Sequence, residues 1–224
     1  MPTLAAQLPL PVPTLVRLGV PSERFPRTWL VTAWVPGEPA DRTAISAGEA
    51  TGTLASFLEA LHVEAPGDAP LNPSRGIPLR TLTLGFDEVL SDIAVGDDVR
   101  KVWADAVDAP EWDRPPVWLH GDLHPANVVV ANGTLAGVID FGELCAGDPA
   151  GDLAAAWVLL PDGAADRLFD AYPMDGATIR RARGWAAARA HFLIAMGING
   201  EKSIPGGKTT WGPAGRVALE RVLA

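Results

Sequence analysis

Cysteine is almost missing from this chain: Cys145 stands alone among 224 residues. That excludes an internal disulfide framework and fits a reducing compartment. With no histidine in an evident pairing, Cys145 reads as a small buried residue rather than a nucleophile. Basic side chains are outnumbered, 18 against 27 acidic ones, for a formal net charge of −9. Such a balance argues against nucleic acid or an anionic membrane surface as the main partner, and it is compatible with a cationic small substrate. Long hydrophobic runs are also lacking. The longest, residues 185–198, is interrupted by Arg189 and His191 and is too short to span a bilayer. The apolar N-terminus is broken by Pro2, Pro9, Pro11 and Pro13 and carries no positive side chain before Arg17, so it does not read as a targeting segment. There is no internal repeat and no low-complexity tract. The expectation is a cytoplasmic globular protein, and 48% hydrophobic residues suffice for a substantial core.

Periodicity supplies a coarse outline. Two β-rich runs, 14–18 and 28–35, lie either side of a Gly/Pro loop and predict an antiparallel pair. Ser46 and Glu49 have capping-box spacing, and Leu54, Phe57, Leu58 and Leu61 repeat at helical spacing, so a helix is predicted over 47–63. His62, near its end, reads as a polar residue at a helix C-terminus. Residues 65–78, rich in proline, read as loop. Helices are predicted over 86–93 and 98–107, then a strand over 117–119. Trp103 and Trp112 read as core aromatics, since no basic residues interleave with them. Past residue 140 the pattern predicts helices over 153–160, with Asp152 as its N-cap, and over 164–171, 178–198 and 213–223. A Gly-rich segment, 199–212, separates the last two.

The chemistry concentrates in residues 118–143, WLHGDLHPANVVVANGTLAGVIDFGE. Asn132-Gly133 between two β-rich runs is a two-residue hairpin signal, because both turn positions need positive φ. If Ala131 pairs with Thr134, Asn127 lies opposite Val138, and Asp140 falls two residues further on the same face. The two side chains are then diagonal neighbours, about 7–8 Å apart at the backbone. An amide oxygen and a carboxylate at that separation suit a hard cation whose shell is completed by phosphate oxygens and water. The preceding loop sets Asp122 beside them as a base or orienting group for an attacking hydroxyl. Two other readings stand beside this one. The acidic and histidine residues are incidental to a hairpin, or His120, Asp122 and His124 form an H-x-D-x-H cluster of a metal-dependent hydrolase.

His120-Gly121-Asp122 through Asn127, then Ile139-Asp140-Phe141-Gly142, keep the spacing His-x-Asp, four residues, Asn, then Asp-Phe-Gly. In these motifs, with Gly147-Asp148-Pro149 and Asp152-Leu153-Ala154, the sequence resembles the aminoglycoside phosphotransferase family, which shares the protein-kinase-like fold. Residues 9–13 and 34–38 are similar to the strand pair that ends at that family's interlobe hinge.

The resemblance implies an α+β fold, mainly the helical C-terminal lobe with a catalytic β-hairpin, over residues 39–224. Residues 1–38 would be the last strand pair of the N-terminal lobe and the hinge. It implies transfer of a γ-phosphoryl group from ATP or GTP to a hydroxyl of a small molecule, aminoglycoside-like or a small metabolite. Asp122 would be the catalytic aspartate, Asn127 and Asp140 would bind Mg2+, and Ala33, Trp34 and Val35 would hold the nucleotide base. His120 and Asp152 would support the loop. By position, Glu143 and the 199–211 segment would touch the acceptor. The family's phosphate-covering loop and nucleotide-gripping lysine lie in a part of the N-terminal lobe that this chain begins too late to contain. Its lysines are Lys101, Lys202 and Lys208, and no glycine precedes Gly19. The alternative implied is a non-catalytic kinase-like remnant or binding protein.

Overall fold

The computed structural model describes residues 2–46, 48–82 and 96–224. The helix expected over 86–93 lies outside the described residues. The chain opens with a one-turn helix, α1 (Pro2–Ala5), where an extended segment was expected. The extended run begins after it, and its Leu10 and Val12 are buried in the main core. Strands β1 (Leu15–Gly19) and β2 (Trp29–Thr32) pair antiparallel as predicted. β3 (Glu38–Pro39) was not legible, because its two residues have no period of their own.

Helix α2 (Ala50–Leu61) buries Leu54, Phe57, Leu58 and Leu61 completely. Each such side chain contributes roughly 1.5–3 kcal/mol. The expected capping box does not form. The helix starts after Glu49, without a side-chain cap, while the Ser46 amide donates to the hairpin turn at Gly133 O (2.9 Å). Tertiary contact has taken the residue that local chemistry would have used as a cap.

α3 (Asp97–Asp108) and β4 (Val117–Leu119) fall where periodicity puts them. Trp103 of α3 is buried in the core, and Trp112 is half-buried beside Arg114. The hairpin follows as β5 (Val128–Ala131) and β6 (Thr134–Val138). Its turn has Asn132 at φ 53° and Gly133 at φ 79°, the left-handed pair that Asn-Gly supplies.

The register differs from the prediction in one respect. Ala131 does pair with Thr134, but an irregularity between Val129 and Val130 shifts the ladder, so Val128 and not Asn127 lies opposite Val138. This β-bulge leaves Gly137 under the incoming chain. A Cβ there would stand 2.3 Å from Val35 Cγ1 and 2.8 Å from Pro11 O. Alternation alone gives no sign of an inserted residue.

β7 (Cys145–Gly147), also unpredicted, pairs with β4. α4 (Ala150–Leu153) and α5 (Ala155–Val158) replace the single helix expected over 153–160. α6 (Ala164–Ala171), the 26-residue α7 (Gly176–Glu201) and α8 (Trp211–Leu223) complete the fold. α7 packs against α3, α4 and α8. Glycines let it approach closely: Gly184 faces Ala106, and Gly197 faces Gly212. Among the described residues no helix is long and apolar enough to cross a membrane.

Candidate active site

β4 delivers the chain to residues 120–127, and two backbone amides anchor the loop there. His120 N and Gly121 N donate to Asp152 Oδ2 (2.6 Å) and Oδ1 (2.9 Å). Gly121 has φ 81°, and a Cβ on it would lie 2.6 Å from Glu143 O, so the turn requires glycine. Asp152 is fully buried. It does not cap the helix as its sequence position suggested. Pro149, whose fixed φ suits a helix start, stands before Ala150, and Asp148 accepts from the Ala150 amide (3.0 Å). Asp152 is therefore inside α4 and points at the loop.

Behind it His62 Nε2 lies 3.5 Å from Asp152 Oδ2, and His62 Nδ1 is 3.3 Å from Tyr172 Oη. Burial raises the Asp152 pKa, but His62, His120 and the Gly121 amide outweigh it and leave the carboxyl below its ordinary value.

The His120 ring ties the loop to the segment that carries Asp140. Nδ1 accepts from the Asp122 amide (3.2 Å), so the proton resides on Nε2, which donates to Ile139 O (2.9 Å). Burial lowers the His120 pKa, against the field of Asp152, and favours the neutral ring. Both ring nitrogens are thus spent on bridging the two segments. This engagement weighs against His120 as a ligand in the hydrolase reading.

Asp122 receives four side-chain donors. Arg189 Nη1 and Arg75 Nη2 (3.3 Å) meet Oδ1, while His124 Nε2 (3.3 Å) and Asn127 Nδ2 (3.2 Å) meet Oδ2. Arg189 is nearly buried and also donates to Gly121 O (3.1 Å). Burial raises the Asp122 pKa; the hydrogen bond from His124 and the charges of Arg189 and Arg75 prevail and hold the carboxyl well below the usual carboxylate range. Trp211, at the start of α8, packs its ring on His124, with centroids 4.5 Å apart.

Despite the shifted register, Asn127 and Asp140 lie on converging segments, because Ile139 N donates to Asn127 O (2.9 Å). Asn127 directs its amide nitrogen to Asp122 O (3.0 Å) and Oδ2, leaving the oxygen as the atom suited to a cation. Asp140 is exposed at φ 62°, and its Oδ1 accepts only weakly, at 3.4 Å, from Gly142 N. Two hard oxygen donors on adjacent segments fit a magnesium ion.

Glu143 is held by Asn72, Nδ2 to Oε2 at 2.6 Å. In the segment expected to form the hinge, Ala33 N donates to Thr14 O (2.8 Å), Trp34 is 85% exposed and Val35 is buried. Cys145 is buried in β7, and burial pushes its thiol up to about 11, in keeping with an inert residue.

Sequence reasoning missed Arg189, Arg75, Asn72 and His62. Only Arg189 carried a signal, a charge inside the apolar run of α7, since a buried charge demands a partner.

His120-Gly121-Asp122 through Asn127 and Ile139-Asp140-Phe141-Gly142 thus lie side by side, joined by Ile139 N to Asn127 O. The profile of the phosphotransferase enzyme family matches residues 1–191, and the chain belongs to that family. It is 28% identical over 189 residues to an aminoglycoside 3'-phosphotransferase of Escherichia coli, covering 77% of this chain and 67% of that protein. It is 27% identical over 145 residues to the uncharacterized protein YcbJ of Bacillus subtilis, covering 62% and 46%.

Among solved structures, the GDP complex of wild-type aminoglycoside 2'-phosphotransferase-IIIa superposes with a TM-score of 0.62 at 18% identity, over 99% of this chain and 78% of that one. The macrolide 2'-phosphotransferase apoenzyme of Brachybacterium faecium superposes with a TM-score of 0.56 at 22% identity, over 97% and 76%. These likenesses place the chain in the protein-kinase-like fold.

Proposed function

We propose that the chain transfers the γ-phosphoryl group of ATP or GTP to a hydroxyl of a small molecule. The observation that carries this reading is the His120 ring, which joins the Asp122 amide to Ile139 O and so locks the candidate base to the metal-binding segment. Asp122 accepts the acceptor hydroxyl and takes its proton as the new O–P bond forms and the bond to the β-phosphate breaks. Asn127 and Asp140 hold magnesium, which when bound neutralises charge on the phosphates. Asp152 and His120 keep the loop in place. Residues 1–38 act as the end of the nucleotide lobe and its hinge, where the main chain of Ala33, Trp34 and Val35 meets the base, and residues 39–224 act as the acceptor and metal lobe. Glu143, fixed by Asn72, lies on the acceptor side.

One observation favours a second reading, a kinase-like binding protein without turnover. No lysine lies on β1 or β2, and Lys101 is already paired with Asp98.

The test combines calorimetry with ATP or GTP and magnesium and a phosphorylation screen over aminoglycosides, macrolides and small hydroxylated metabolites. Asp122→Asn is expected to lower turnover by about 10²–10⁴-fold while nucleotide binding persists. Undiminished turnover in that variant refutes the assignment of the base. Absence of heat with either nucleotide selects the second reading.

A further inference from the structure

A carboxylate offers about four lone-pair sites, and all four on Asp122 are taken: by Arg189 and Arg75 on Oδ1, and by His124 and Asn127 on Oδ2. An acceptor hydroxyl can reach this carboxylate only if one donor leaves. Three of the four are locked. Arg189 is buried and also grips Gly121 O. His124 is fixed by the Ala126 amide and the Trp211 ring. Asn127 also holds Asp122 O.

Arg75 is the exception. Its side chain is 27% exposed, its 3.3 Å contact is among the longest of the four, and its other bonds go to the adjacent Ser74. Its Nε is buried with no hydrogen-bond partner among the described residues. The backbone beneath it is pinned, because Gly76 O accepts from Asp148 N (3.1 Å) and a Cβ on Gly76 would meet Leu119 at 2.5 Å. Any departure is therefore a swing of the side chain alone.

We propose that Arg75 is the anion-binding side chain of this site: it yields Asp122 to the acceptor hydroxyl and takes a carboxylate or phosphate group beside the reacting oxygen. This role rests on the phosphotransfer reading. A displaced guanidinium that is three-quarters buried needs a new anion, and Arg presents the planar fork that carboxylate and phosphate match. Glu143 accepts from Asn72 (2.6 Å), and among the described residues Asp122 is the carboxylate that Arg75 meets. At Asp122 itself the facing groups are therefore guanidinium, imidazole and amide donors, which suit an anionic group better than a cationic one. The inference therefore departs from what the overall charge of −9 suggests.

The test needs neither nucleotide nor acceptor, so its failure is separable from failure of the phosphotransfer reading. Inorganic phosphate and acetate are added to the full chain while the arginine Nε–H signals are followed by NMR, Arg75 being assigned by its loss in Arg75→Gln. A saturable shift of the Arg75 signal is expected. In Asp122→Asn, where the competing carboxylate is gone, phosphate should bind about fivefold or more tightly, and in the double variant that gain should vanish. Acetate binding as well as phosphate indicates a carboxylate-bearing acceptor, and phosphate binding alone indicates the phosphoryl group in transfer. Either result upholds the anion site. The inference is overturned if Asp122→Asn shows no saturable shift, or if Arg75→Gln, with an otherwise superimposable amide spectrum, binds phosphate as the parent does.

Discussion

Asp152 shows how a single side chain can hold a loop from behind. Its carboxylate accepts from two successive amides, His120 and Gly121, in a fully buried setting. Its pKa is depressed in the fold, so the stability it contributes is present above the unfolded value near 3.8 and is lost as pH falls through the folded value. His120 acts in the same direction: its pKa is lowered, and below about 6.5 the unfolded chain binds the extra proton. Asp152→Asn should remove part of the acid dependence of stability and cost about 1.5–3 kcal/mol at neutral pH, measured by urea denaturation from about pH 2 to pH 7. An unchanged acid limb would falsify the role given to the carboxylate. The motif that contains Asp152 was legible in the sequence. His62 beside it was not, because nothing in the sequence relates the end of α2 to residue 152.

At the scale of elements, the pairing of α7 with α8 sets the far wall of the site, since α7 carries Arg189 and α8 begins with Trp211. The two helices approach through glycine. A Cβ on Gly215 would stand 2.7 Å from Ala190 O and 2.8 Å from Ile194 N, and one on Gly197 would stand 2.3 Å from Gly212 Cα. Gly215→Val should force the helices apart at a cost of about 1–3 kcal/mol and loosen the Trp211 stack on His124. Equal urea midpoints for the variant and the parent chain would show that the approach is not tight. Periodicity placed both helices to within a few residues, but it does not say which faces meet.

For the whole molecule, the contrast lies between the helical layer and the β1–β2 ribbon. Leu15, Val16, Leu18, Leu30 and Val31 of the ribbon are all exposed, whereas α2 is buried along one side and the middle of α7 on nearly all sides. Two strands without an apolar layer beneath them are marginal on their own. Hydrogen exchange should therefore be fastest in residues 15–19 and 29–32 and slowest in α2 and the middle of α7. Protection of the ribbon equal to that of α2 would contradict this division.

The phosphotransferase motifs, the Asn-Gly hairpin, most of the helices and the pairing of β1 with β2 were all legible in the sequence by itself. These depend on local propensity and on spacing within one segment, which a linear chain displays directly. Tertiary structure decided the bulge that moves Asn127 off Val138, the diversion of Ser46 from a cap to the hairpin turn, and the burial of Asp152 within α4. It also decided the convergence of Arg75 and Arg189 on Asp122, from residues 47 and 67 positions away. Such contacts arise only when separate elements pack and buried charges must find partners, and no period in the sequence encodes which partner that will be.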